Sequence, residues 1–175
     1  MKTLRLITTY DCPRNCVGCC NKQDPFKPEA VQTWDQNLLD IEMVILSGGE
    51  PLMYPFSTLT LAEFIRMEKP DVKLILYTAK VDEPDMIENC LNFFDGITIT
   101  LHEQADVDDF RKLNFQLLGR RTWLLDNNKS LRLNVFKGVD FSLVNDSLWK
   151  IKDNIEWIAD CPLPNGEELF KLSHQ

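Results

Sequence analysis

Three cysteines, Cys12, Cys16 and Cys19, lie in one short stretch, Cys12-Pro13-Arg14-Asn15-Cys16-Val17-Gly18-Cys19, directly after an apolar run. Three thiolates presented from one loop can hold three corners of an iron–sulfur cluster. A four-iron cluster held this way keeps its fourth iron open to a ligand that is not a cysteine. A second apolar run, Met43-Val44-Ile45-Leu46, ends in Ser47-Gly48-Gly49-Glu50-Pro51. Paired glycines let a small molecule lie close against backbone, and the Glu50 carboxylate suits a ligand that carries positive charge. A lone Gly-Gly would read as a turn; its place after a strand, downstream of the cysteines, favours a ligand-binding turn. Zinc is the competing reading of the thiols. Structural zinc takes four protein ligands, and Cys20, His102 or His174 would have to supply the fourth.

Short apolar runs place these residues. Six strands are expected: Leu4 to Thr9, Met43 to Leu46, Lys73 to Tyr77, Gly96 to Leu101, Leu131 to Phe136 and Ile155 to Ala159. They are rich in Ile, Leu and Val, as strands buried on both faces are. Helical spacing separates them. Leu59, Leu61, Phe64 and Ile65 form one apolar face, then Met86, Ile87, Cys90 and Leu91, then Val107, Phe110, Leu113 and Leu117, with Gly119 as a stop. Further helices are expected from Leu143 to Ile151 and over Glu167 to Leu172. Alternating strands and helices imply right-handed crossovers and a parallel sheet. In such sheets sites gather at the carboxyl ends of the strands. Thr78 ends the third strand, His102 ends the fourth, Asn134 interrupts the fifth, and Leu163 follows the sixth. Each also has a plain reading as a hydrogen-bonded or packed residue near a strand end.

The C-x3-C-x2-C loop and the GGE turn, at the ends of consecutive strands, resemble the radical S-adenosylmethionine (SAM) superfamily. The resemblance implies an α/β fold, a partial, splayed (β/α)6 barrel of parallel strands, in one domain over residues 1–175. It implies a 4Fe-4S cluster on Cys12, Cys16 and Cys19, with SAM chelating the fourth iron. Gly48, Gly49, Glu50 and Pro51 would hold its amino group, and Thr78, His102, Asn134 and Leu163 would make further contacts. The implied chemistry is reductive cleavage of SAM to methionine and a 5′-deoxyadenosyl radical, which takes hydrogen from a substrate. An electron donor such as flavodoxin or ferredoxin would be a partner. Many members carry an aromatic before the third cysteine, where this chain has Gly18. The sequence Cys16-Val17-Gly18-Cys19-Cys20-Asn21-Lys22 is instead similar to activases of anaerobic ribonucleotide reductase, which implies a glycyl-radical partner protein as substrate. The alternatives are a small-molecule enzyme resembling 7-carboxy-7-deazaguanine synthase, and a non-enzymatic metal-binding or redox-sensing module.

Composition bounds these readings. At 175 residues the chain suits one ordinary domain, and 44% hydrophobic residues suffice for a core. A net charge of −8 argues against nucleic acid as a partner, and Arg111, Lys112, Arg120 and Arg121 read as a solvated face. The N-terminus does not read as a signal peptide, and no apolar run reaches the length of a membrane span. A cytoplasmic protein with reduced thiols is therefore expected, rather than a disulfide framework. Cys90 and Cys161 read as small buried hydrophobes, Cys20 as packed or exposed, and Trp34, Trp123, Trp149 and Trp157 as packing residues.

Overall fold

A computed structural model describes residues 2–22, 30–31, 40–158 and 161–172. Trp34, Ala159, Asp160 and His174 lie outside the described residues. Among the described residues, eight strands and four α-helices follow one another: β1 (Lys2–Thr9), β2 (Ala30–Val31), β3 (Ile41–Gly48), α1 (Pro55–Glu68), β4 (Lys73–Thr78), α2 (Pro84–Cys90), β5 (Gly96–Leu101), α3 (Asp106–Gly119), α4 (Arg121–Asp126), β6 (Ser130–Phe136), β7 (Lys150–Ile155) and β8 (Glu167–Leu172). The fold is α/β with parallel strands. Among the described residues β2 pairs only with β8, and β7 only with β6.

The chain forms two compact units, residues 1–75 with 157–175, and residues 76–156. In the first, the strands run β2-β8-β1-β3, all parallel. Leu4, Leu6, Val44, Ile45 and Leu46 are buried in β1 and β3, so the two runs that precede the chemistry-bearing loops are also the core. In the second, β5, β6 and β7 pair in parallel. Ile97, Ile99, Leu101, Leu131, Leu133 and Val135 are buried there, as are Phe110, Leu113 and Leu117 of α3. Burial in β6 alternates strictly, so this strand turns Leu131, Leu133 and Val135 to its buried face.

Three expected elements differ. The sixth strand is Lys150–Ile155, not Ile155 to Ala159, and the stretch expected to be helical from Leu143 is turn leading into it. Glu167–Leu172 is a strand, not a helix. Six residues cannot sustain a helix by themselves, whereas β1 offers them a full ladder. Arg5 to Glu167 at 2.9 Å and Lys2 to Glu168 at 3.1 Å add charge pairing across it. In α1 the buried residues are Thr58, Ala62 and Ile65, and Phe64 is exposed. The apolar faces expected of α2 and α3 are present, with Ile87, Cys90 and Leu91 fully buried.

Of the four cations read as a solvated face, Arg111, Lys112 and Arg121 are exposed and Arg120 is half-buried. Arg111 pairs with Asp108, Lys112 with Asp109, and Arg120 with Glu88 while lying 4.0 Å over the Trp123 ring. Trp149 is buried, donates its Nε1–H to Asn114 at 2.7 Å and tilts against Phe110.

Candidate metal centre

The ladder between β1 and β3 ends at the pair Thr9 and Gly48. The cysteine loop and the glycine turn therefore leave the sheet side by side, and backbone hydrogen bonds continue the contact. The Gly49 N–H donates to the Thr9 carbonyl at 2.7 Å, and the Glu50 N–H to the Asp11 carbonyl at 2.8 Å. Glycine is required at both positions. Gly48 has φ +132°, and a Cβ on it would lie 2.3 Å from the Thr9 carbonyl oxygen. A Cβ on Gly49 would lie 2.1 Å from the Asp11 carbonyl oxygen. The Tyr54 hydroxyl donates to the Asp11 carboxylate at 2.6 Å, a third tie between the two loops.

The far end of the cysteine loop is held as well. The Asn21 side-chain amide donates to the Gly48 carbonyl. The Lys22 ammonium donates to the side chain of Asn15 and to the Cys16 carbonyl. The Cys19 N–H reaches the Cys16 carbonyl at 3.4 Å, and the Lys22 N–H reaches the Cys19 carbonyl at 3.1 Å. Asn21, singled out only by resemblance, thus closes the loop back onto the glycine turn.

Cys12, Cys16 and Cys19 are free thiols, each half-buried. Burial pushes the Cys12 thiol up, the charges of Glu50 and Cys19 add to this, and a backbone hydrogen bond at Arg14 opposes it. Burial likewise raises Cys16, with the charges of Cys19 and Cys12 adding. The three thiols and Glu50 therefore share one electrostatic neighbourhood. Among the described residues no three His, Cys, Asp or Glu side chains close around a point for a single metal ion. A four-iron cluster takes one thiolate per iron and accepts donors spread more widely than a mononuclear site does. Three free thiols on one pinned loop fit that group. Residues 4–112, more than half of the chain, match the family model described as "4Fe-4S single cluster domain".

The chain belongs to this 4Fe-4S single cluster domain family. No match was found among curated proteins. Within the 4Fe-4S domain Glu50 is only 2% exposed, and one carboxylate oxygen accepts the Leu52 N–H at 3.0 Å, capping the short turn Pro51–Met53. The Thr58 hydroxyl donates to the Pro51 carbonyl at 2.7 Å and holds that turn to α1. Leu163, in the same unit, is exposed. The other sequence candidates belong to the second unit. Thr78 is buried at the end of β4 and accepts the Lys80 N–H at 3.0 Å. The His102 N–H donates to Asp106 at 2.8 Å and its ring stacks on Phe136 at 4.8 Å. Asn134 donates to the Thr100 hydroxyl at 3.4 Å. Lys80, half-buried, is ion-paired with Asp82 and Glu83.

Two features of the 4Fe-4S domain correct the sequence reading. Cys20 and Cys161 are joined in a disulfide, so Cys20 is neither an idle packed residue nor free, and the expectation that no disulfide forms does not hold. Their separation of 141 residues left no signal in the sequence. Trp157 is not a core residue. It is 43% exposed, and its ring lies against Gly18, where a Cβ would come within 2.3 Å of the ring. The missing side chain before Cys19 is therefore matched by an aromatic brought from a distant segment. Gly18→Phe should displace Trp157, with a stability loss of about 1–3 kcal/mol from overpacking. Denaturant unfolding and the indole emission maximum measure it; unchanged values would mean the ring moves aside freely.

Proposed function

We propose that this 4Fe-4S protein is a radical SAM enzyme. The observation that carries the reading is the fastening of the thiol loop to the Gly48–Glu50 turn, with Glu50 charge felt at Cys12. When bound, the cluster supplies the single electron that splits SAM into methionine and a 5′-deoxyadenosyl radical. Cys12, Cys16 and Cys19 hold it, and the chain offers no fourth cysteine on the loop because Cys20 is engaged by Cys161. The backbone of Gly48 and Gly49 permits the close approach of an amino acid moiety, and the Glu50 charge favours its ammonium and sulfonium groups. Thr78, His102, Asn134 and Leu163 are assigned to the same ligand by resemblance alone. A flavodoxin or ferredoxin supplies the electron.

For the substrate, Gly18 and Asn21 favour a glycyl-radical partner protein, with a small molecule as the competing class. The reduced, cluster-loaded protein should release 5′-deoxyadenosine from SAM, slowly even without substrate. Chromatography that finds none from a fully loaded, reduced sample overturns the enzymatic reading and leaves a metal-binding or redox-sensing module. Glu50→Gln keeps an oxygen to cap Leu52 but removes the charge. It should weaken SAM binding about tenfold, the scale of one lost charge-assisted contact, with iron content unchanged. Equal affinity in equilibrium dialysis would remove Glu50 from the site.

A further inference from the structure

The Cys20–Cys161 crosslink stands in a chain that otherwise keeps its sulfur reduced. The remaining cysteines are free thiols, and Cys20 directly follows Cys19 in the cysteine loop. Cys12, Cys16 and Cys19 can hold iron only as reduced thiolates. Conditions that keep them reduced also act on any disulfide that a thiolate can reach. Cys20 is half-buried, whereas Cys161 is 6% exposed, so attack falls on the Cys20 sulfur. Cys161 has φ +35° in the crosslinked chain, in the left-handed region that favours glycine. Accessible or strained disulfides are the labile ones, while structural disulfides resist reduction by glutathione. The same stretch that carries Cys161 also carries Trp157, whose ring lies against Gly18 between Cys16 and Cys19. It therefore meets the cysteine loop at two points, and the second point is covalent.

We propose that Cys20 and Cys161 form a reversible thiol–disulfide switch, opened by a small thiol, that sets how closely Trp157 covers the cysteine loop. A thiolate attacks the Cys20 sulfur, the S–S bond breaks, and Cys161 leaves as a thiolate that takes up a proton. A second thiolate attacks the small-thiol sulfur of the mixed disulfide and releases Cys20, which is protonated in turn. The small thiols are oxidised to their disulfide, and the crosslink takes the electron pair. The Cys161 sulfur lies 3.5 Å from the Ile158 carbonyl, which accepts its S–H once the crosslink opens. Cys20 stays where it is, because Asn21 is fastened to Gly48 and Cys19 to Cys16. Trp157, itself 43% exposed, then keeps its place over Gly18 without a covalent tie nearby. Its covering of Cys16 and Cys19 loosens, since a tether raises the effective concentration of a group at its contact. The switch rests on these thiols and this ring and not on SAM cleavage, so it holds for a radical SAM enzyme and for a redox-sensing module alike.

The first test uses the full-length chain with Cys12→Ser, Cys16→Ser and Cys19→Ser combined, which leaves only the pair and the buried Cys90. It is equilibrated in mixtures of reduced and oxidised glutathione, alkylated, and read by peptide mass. Cys20 and Cys161 should be open in excess reduced glutathione and closed in excess oxidised glutathione, reversibly. Indole emission should shift to longer wavelength on opening, and adding Trp157→Phe should remove the shift. If the triple variant does not fold, alkylation of the cluster-loaded parent reads the same two peptides. The second test follows iron extraction from the cluster-loaded parent by a chelator. Extraction should be about fivefold faster or more after treatment with reduced glutathione, the scale of losing one tether. Cys161→Ser should show the fast rate in either buffer, and Cys90→Ala should behave as the parent does. A crosslink that survives excess reduced glutathione is purely structural and overturns the proposal. Opening that changes neither the emission nor the extraction rate overturns it as well. Release of 5′-deoxyadenosine is not a readout here, so failure of the switch and failure of the enzymatic reading are separate results.

Discussion

Replacing Cys12, Cys16 or Cys19 singly by alanine is expected to reduce bound iron and the visible cluster absorbance to background after anaerobic reconstitution. Each thiol is free, and each sits on a loop whose two ends are pinned, so no neighbour can swing in to replace it. Cys90→Ala should leave the cluster intact. That thiol is fully buried, its pKa is pushed up to about 12 by burial, and it is a core residue of α2. Cys20→Ser and Cys161→Ser should also retain the cluster, while losing the disulfide and about 2–4 kcal/mol of stability in the oxidised protein. The separation matters for interpretation. Cys20 adjoins Cys19 in sequence, and only a variant that loses the crosslink but keeps the iron shows the two roles to be distinct. Loss of the cluster from folded Cys20→Ser would enlarge the ligand set.

Gly49→Val should be almost as damaging without touching a thiol. A Cβ at this position meets the Asp11 carbonyl carbon at 2.7 Å and its oxygen at 2.1 Å, and backbone cannot rotate out of the way as a side chain can. The hydrogen bonds from Gly49 to Thr9 and from Glu50 to Asp11 would part, and the cysteine loop would lose its register on the turn. The expected stability loss is about 3 kcal/mol or more, at the upper end for overpacking because the clash is with main chain. Cluster occupancy should fall with it. Gly119→Ala is the matched control, since a Cβ there meets nothing within 4 Å and the residue ends a helix. Thermal unfolding and iron content, measured on both variants, give the comparison. A Gly49→Val protein as stable and as iron-loaded as the parent would mean that the loop and the turn are not mechanically joined.

These two results rest on features the sequence displays to different degrees. The cysteine spacing and the Gly-Gly-Glu turn are local, and a loop's donor atoms are set by residue type and order alone. The strands β1, β3, β4, β5 and β6 were legible for a related reason: dense runs of Ile, Leu and Val have no stable exposed state, so their burial and pairing follow. The helices α2 and α3 likewise declare their faces through spacing. Phe64 misled because α1 buries small residues, Thr58 and Ala62, on the face it turns inward.

Residue order was enough to establish that three thiols share one loop, that a glycine turn follows the next strand, and that β1, β3, β4, β5 and β6 are strands with buried apolar residues. The remaining features arose from long-range contacts, which join residues whose separation carries no pattern. Glu167–Leu172 became a strand because β1 had an unpaired edge to satisfy, and a segment of weak intrinsic preference takes the state its neighbour rewards. Cys20 met Cys161, and Trp157 met Gly18, only because that tail returns past the cysteine loop on its way to β1.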